Sequence, residues 1–149
     1  MKKKLSWLVI LVLVGVVGFG VLQLVPYGRT HSNPPVLAEP KWDSPSTRDL
    51  AVRGCFDCHS NEIVWPWYSN VAPISWLIQH DAEEGRGRLN FSEWPTNAAM
   101  AQALMKASAS AVERGKMPPL KFLLIHKEAK FTTAEKTQLM QGLLNSSGQ

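Results

Sequence analysis

Two cysteines and the histidine that follows them are the residues of this chain best suited to chemistry. They stand in the motif Cys55-Phe56-Asp57-Cys58-His59, and the 149-residue sequence has no other cysteine. This spacing lets both thiols add to the two vinyl groups of one haem while the adjacent imidazole binds the iron. We expect one nitrogen of His59 to bind the metal and the other to be held by a backbone carbonyl. The motif predicts one covalently attached haem c.

Two other uses of the cysteines compete with haem attachment. A C-x-x-C pair can be a redox dithiol, but that function is typical of a thioredoxin-like βαβ context, which the sequence lacks. The same cysteines could bind zinc together with two of the histidines His59, His80 and His126, although no second pair has finger-like spacing. The motif therefore favours haem over both alternatives.

Two longer stretches resemble a known family. Residues 55–94 (CFDCHSNEIVWPWYSNVAPISWLIQHDAEEGRGRLNFSEW) and 117–136 (MPPLKFLLIHKEAKFTTAEK) are similar, in that order, to the bacterial haem-binding domain family. The resemblance covers about residues 45–145. It implies a single-haem domain, similar to c-type cytochromes, behind an N-terminal anchor or signal.

The resemblance also implies a candidate for the second axial position on the iron. Met117 precedes two prolines after a helix stop, and c-type cytochromes present a methionine sulfur from such a loop. A thioether ligand raises the reduction potential, which suits electron transfer. His126 and His80 are the alternatives, and either would give bis-histidine iron with a lower potential. Two further alternatives are an open position and a methionine that only fills the core.

Several other side chains could contact the haem. Arg86 and Arg88 could bind its propionates, although solvated surface arginine is the default. Asn90, Ser92 and Trp94 could donate hydrogen bonds near its edge. A group of aromatic residues could shield it from water or form ordinary core: Trp65, Trp67, Tyr68, Trp76 and Trp94.

The N-terminal residues predict where the protein resides. Leu5–Val25 is free of charge and would form a helix about 31 Å long, close to the thickness of the bilayer core. Lys2–Lys4 precede it, which places that end in the cytoplasm by the positive-inside rule. A cleaved signal peptide is the alternative, although its apolar run is usually shorter. We therefore expect a single-pass protein of a bacterial inner membrane, with the haem domain in the periplasm or otherwise outside the cytoplasm.

Helix caps and apolar spacing predict an all-α fold: a small cytochrome-c-like helical domain around one covalent haem, preceded by a single transmembrane helix. We expect an anchor or signal over residues 1–27, a proline-rich linker over 28–45 and a haem-binding domain over 46–146. Four helices are predicted in that domain. The first is capped by Thr47 and covers Arg48–Gly54, and the second opens at Pro73 and ends before Gly85. The third opens at Asn97 or Thr96 and stops at Gly115, with Met100, Leu104, Ala107 and Ala111 on one apolar side. The fourth opens at the Thr132/Glu135 capping box, with Leu139, Leu143 and Met140 as its candidate inward residues.

The charge distribution and the expected cofactor limit the classes of function that the chain could have. The formal charge is +4, but three of the basic residues are the terminal lysines, so no basic face for nucleic acid is expected. A haem with a methionine ligand predicts an electron carrier that meets redox partner proteins and is not itself an enzyme. The alternative is a five-coordinate haem enzyme or sensor that acts on peroxide or binds a small ligand. A third interpretation is a structural module whose cysteines form a disulfide.

Overall fold

Helices are the main regular structure in the part of the chain that the structure describes. The structure is a computed structural model describing residues 2–146, with residues 2–5 described by their backbone alone. Within this range the only extended pairing is an isolated bridge between Ala38 and Glu93, so the all-α prediction is confirmed. The helices are α1 Lys2–Leu22, α2 Pro45–Gly54, α3 Phe56–His59, α4 Ile74–Arg88, α5 Ala98–Glu113, α6 Leu120–Leu123 and α7 Thr133–Ser146, with 3-10 turns at Trp67–Asn70 and Lys127–Ala129.

The chain divides into two compact units. Unit 1 comprises Met1–His31 and Trp65–Asp81, and unit 2 comprises Ser32–Val64 and Ala82–Gln149. The C-x-x-C-H motif therefore belongs to unit 2. The predicted boundaries near residues 27 and 45 stay a prediction.

The N-terminal helix, in unit 1, contradicts the predicted location of the protein. The helix α1 ends at Leu22, and the side-chain amide of Gln23 pairs instead with the main chain of Ala72, at 2.9 and 3.0 Å. Among the described residues, none of the helices combines the length and apolar character that crossing a membrane requires. The predicted transmembrane anchor and the inner-membrane location derived from it are wrong. The side chains of Lys2–Lys4, which set the predicted orientation, lie outside the described residues.

The core of unit 2 forms where α5, α7 and α2 pack together. On α5 the buried side chains are Met105, Ala109 and Val112, whereas Met100 is 57% exposed. The prediction that Met100, Leu104, Ala107 and Ala111 face inward is therefore wrong. The buried face of α5 is offset from them by about one residue. On α7 the predicted inward residues Leu139 and Leu143 are buried, and Met140 is half-buried. The buried core residues are Leu50, Ala51, Phe56, Phe91, Met105, Ala109, Val112, Leu139 and Leu143.

Three of the predicted helix ends are confirmed. Asn97 caps α5 by accepting the Met100 N–H at 2.9 Å. Gly115 ends that helix with a φ of +64°, a conformation that glycine adopts without strain. Thr132 and Glu135 form the reciprocal capping box that opens α7.

Two predicted helix ends are wrong. Ser44 caps α2, accepting the N–H of Thr47 at 3.3 Å, and Thr47 itself lies buried in the first turn. The helix α4 does not end before Gly85 but continues to Arg88. A glycine in a helix only lowers its intrinsic stability, and packing outweighs that cost here.

The capping box predicts an acid-dependent stability. The backbone N–H of Thr132, with Arg53, lowers the pKa of Glu135 from 4.5 to about 2. A carboxylate whose pKa is lower in the folded state adds stability above the unfolded value, and this stability is lost as the pH falls through the folded value. We therefore expect Glu135→Gln to lose less stability than the native chain between about pH 4.5 and pH 2. Denaturant unfolding along a pH series measures this, and parallel curves for the two proteins would contradict it.

Candidate haem site

The C-x-x-C-H motif lies at a sharp junction between two helices. The longer helix α2 ends at Gly54, and the N–H of Cys55 donates to the carbonyl of Ala51 at 2.8 Å. The carbonyl of Cys55 then accepts the N–H of His59 at 2.9 Å, which closes the single turn of α3. This turn brings the two cysteines and the histidine of the motif close together along one short stretch of backbone.

Both cysteines carry thiols, and the surroundings of Cys55 disfavour a thiolate. Burial raises the pKa of Cys55 to about 12, and the neighbouring Cys58 adds to the shift. A thiol held neutral at physiological pH is a poor nucleophile for dithiol chemistry. The same apolar surroundings suit a thioether sulfur, which carries no charge. The raised pKa of Cys55 therefore argues against a redox dithiol.

The imidazole of His59 is held by two main-chain carbonyls. Its Nδ1 lies 2.9 Å from the oxygen of Gly85 and 3.1 Å from that of Leu89. Since a carbonyl only accepts hydrogen bonds, Nδ1 carries the proton and Nε2 keeps its lone pair. This is the arrangement that an iron-binding histidine needs, because the second nitrogen is then available to the metal. The expectation of a backbone carbonyl behind His59 agrees with this geometry.

The helix α4 reaches the motif because it has no side chain at Gly85. A Cβ at this position would overlap the backbone carbonyl oxygen of Cys58. Any larger residue would push α4 away and withdraw the carbonyl that binds His59. This role has no signal in the sequence, where a glycine after an apolar stripe indicates a helix end.

A network of amide and hydroxyl groups fixes the turn after α4 against the motif. The N–H of Phe91 donates to the carbonyl of His59 at 2.8 Å, and the Asn90 side chain donates to that of Asn61 at 2.9 Å. The N–H of Asn61 donates to Ser92 at 2.9 Å, and Asn61 is nearly fully buried. Asn90 and Ser92 thus bind the protein chain beside the histidine. Asn61 was not anticipated, since a single asparagine after the motif carries no signal in the sequence.

The loop that carries Met117 is built from the end of α5. The carbonyl of Ala111 accepts the N–H of Lys116 at 2.9 Å and that of Met117 at 3.3 Å, which folds the chain back over the last turn. The next residue, Pro118, is buried, and its Cγ lies 3.2 Å from where a Cβ on Gly54 would stand. The Met117 loop therefore packs against the residue directly before Cys55. The ligand role of Met117 stays a prediction.

The two alternative histidines have different surroundings. His126 stacks on Phe122 with ring centroids 4.1 Å apart, and its Nδ1 lies 3.0 Å from a carboxylate oxygen of Glu128. Burial raises the pKa of Asp57, inside the motif, while the hydrogen bond from the Val64 N–H and the charge of His126 partly oppose that shift. His126 belongs to unit 2 together with the motif, whereas His80 belongs to unit 1. Their ligand roles also stay predictions.

The arginines predicted near propionates have other partners. Arg86 donates to the carbonyls of Ser60 at 2.8 Å and Ser32 at 3.1 Å, and Arg88 pairs with Glu84. Arg86 thus holds the backbone that follows the motif.

The aromatic residues predicted as one haem wall are divided between the two units. Trp94 stacks on Phe91 in unit 2, with ring centroids 5.9 Å apart. Trp65, Trp67, Tyr68 and Trp76 belong to unit 1, where Trp67 is 79% exposed. Trp94 is therefore the one member of the predicted wall that joins the core around the motif.

The motif, its oriented imidazole and the all-helical setting define a haem-binding class of protein. The chain matches the family model described as "Haem-binding domain" over residues 17–145, and it belongs to that family. No curated protein and no solved structure matches the chain. Among the described residues, no three His, Cys, Asp or Glu side chains lie together as a metal site.

The close approach at Gly85 gives a paired prediction. We expect Gly85→Ala to lower the free energy of unfolding by about 1–3 kcal/mol, because the new methyl group overlaps the Cys58 carbonyl. Gly87→Ala is the matched control on the same helix, since a Cβ there meets nothing within 4 Å. It should be neutral or stabilising by up to about 1 kcal/mol. Denaturant titration measures both, and equal effects would contradict the proposed constraint.

Proposed function

We propose that this chain binds one haem c through thioether bonds from Cys55 and Cys58, with His59 Nε2 as an axial ligand to the iron. The orientation of the His59 ring carries the proposal. Two carbonyls hold its Nδ1, so the imidazole presents the other nitrogen without having to rearrange. The family supports haem as the cofactor, and the spacing of the two cysteines supports its covalent attachment.

The function that follows is electron transfer. A bound haem supplies an iron that takes up and releases one electron at a time. The protein would contribute a fixed imidazole, apolar packing through Phe56 and Phe91, and the thioether of Met117 as a second iron ligand. A rigid ligand set limits the rearrangement that accompanies each change of charge. The proposed role needs no group that moves a proton or attacks a substrate.

The attachment is tested by mass and colour. Expressed with a cytochrome c maturation system, the native chain should exceed its polypeptide mass by one haem and absorb as a c-type cytochrome. Cys55→Ser/Cys58→Ser should lose the covalent mass, because neither position can form a thioether. A native preparation that stayed colourless and carried no added mass would contradict the proposal.

The second axial ligand is tested by a pair of methionine variants. We expect Met117→Ala to lower the reduction potential by on the order of 0.1 V, because a thioether ligand favours ferrous iron. Met100→Ala is the control, since that side chain is 57% exposed on the first turn of α5. Potentiometry and near-infrared spectra report the result. An unchanged potential and spectrum in Met117→Ala would contradict the assignment, and rapid carbon monoxide binding by the native protein would favour a five-coordinate haem instead.

A further inference from the structure

The positive charge of this chain is concentrated in one segment of unit 2. Residues 114–136 contain six Lys and Arg against two Asp and Glu, a net charge of +4. Apart from the three terminal lysines, the rest of the chain contains seven basic and ten acidic residues, a net charge of −3. The total of +4 therefore combines a positive segment, the three terminal lysines and a remainder of opposite sign. We call residues 114–136 the basic segment.

The basic segment is also the part of the chain that borders the motif. Pro118 and Phe131 both pack at Gly54, directly before Cys55, and the guanidinium of Arg53 lies 5.1 Å from the centre of the Phe131 ring. The segment therefore runs beside residues 53–54. Five of its six basic side chains are exposed: Arg114, Lys116, Lys121, Lys127 and Lys130.

Aliphatic side chains lie exposed between these cations. Leu120 is 75% exposed, Leu124 71% and Ile125 62%. An apolar centre with a charged rim is the usual anatomy of a surface that docks a protein partner. Nucleic-acid sites instead interleave cations with aromatic side chains that stack on bases.

We propose that the basic segment is the docking surface for an electron-transfer protein whose own contact surface is acidic. Complementary charge steers such a partner to this face and speeds the encounter. The apolar centre then excludes water next to the segment that carries Met117. This proposal rests on the proposed function, because it needs a haem close to the docked face.

A gold electrode coated with a carboxylate-terminated monolayer is a probe with the chemistry of the proposed partner. Adsorbed mass is read with a quartz-crystal microbalance, and electron transfer is read by voltammetry on the same surface. We expect the native holoprotein to adsorb at low salt and to give a reversible signal. It should leave at 1 M salt, where charges are screened beyond about 3 Å, and it should not adsorb on an ammonium-terminated monolayer.

Two variants with equal loss of charge locate the surface. Lys116→Gln/Lys127→Gln removes two charges from the basic segment and should weaken adsorption on the carboxylate monolayer by about fivefold. Lys41→Gln/Lys106→Gln is the control and should adsorb like the native protein. Lys41 lies beside Ala98 and Ala99 in the first turn of α5. That helix is about 24 Å long, and Arg114 follows its other end.

Each result bears on one proposal. Adsorption that responds equally to both variants, or that is as strong on the ammonium monolayer, would overturn the docking surface. Salt-sensitive adsorption lost in Lys116→Gln/Lys127→Gln alone would support it. Adsorbed protein with no current and no haem absorption would instead count against the proposed function and leave the charge-dependent docking measurable by mass.

Discussion

The close approach of α4 to the C-x-x-C-H motif is the constraint on which this site depends. The motif itself forms only a single turn of helix, which cannot fix the direction of the histidine ring. The carbonyls of Gly85 and Leu89 supply that direction from a neighbouring element, and they reach Nδ1 only because Gly85 has no side chain. The network through Asn61 and Asn90 then keeps the chain after α4 in place. The proposed iron ligand is thus positioned by main chain that lies far from it in sequence.

Local signals in the sequence predicted local features well. The cysteine spacing, the Asn97 cap and the Thr132/Glu135 capping box each depend on residues a few positions apart, so they can be read without knowing the fold. The role of Gly85 depends on a backbone 27 residues earlier, and no pattern near it distinguishes a close approach from a helix end. The buried face of α5 was misjudged for a related reason, because Met100 fits an apolar stripe until α7 selects the adjacent one.

The predicted membrane location is wrong for a different reason. An uncharged run describes only the composition of a segment, whereas a membrane span also needs a helix of sufficient length and apolar character. The described residues contain no such helix. The cofactor class is independent of that outcome, because it rests on the family match and on the motif. The two proposals meet in one segment. The loop that contains Met117 lies in the stretch that carries the excess positive charge, so the proposed ligand and the proposed docking face are built from consecutive residues.

The pairing around His59 also bears on how the chain folds. The N–H of Leu37 donates to the carbonyl of Ser92, and that of Trp94 donates to the carbonyl of Ala38. The N–H of Phe91, one residue before Ser92, donates to the carbonyl of His59. These links join three stretches that are distant along the chain, as strands do in a sheet. Helical proteins fold quickly when most of their contacts are local, and non-local pairing slows the search. We therefore expect the surroundings of the histidine to be ordered late in folding, after the individual helices have formed.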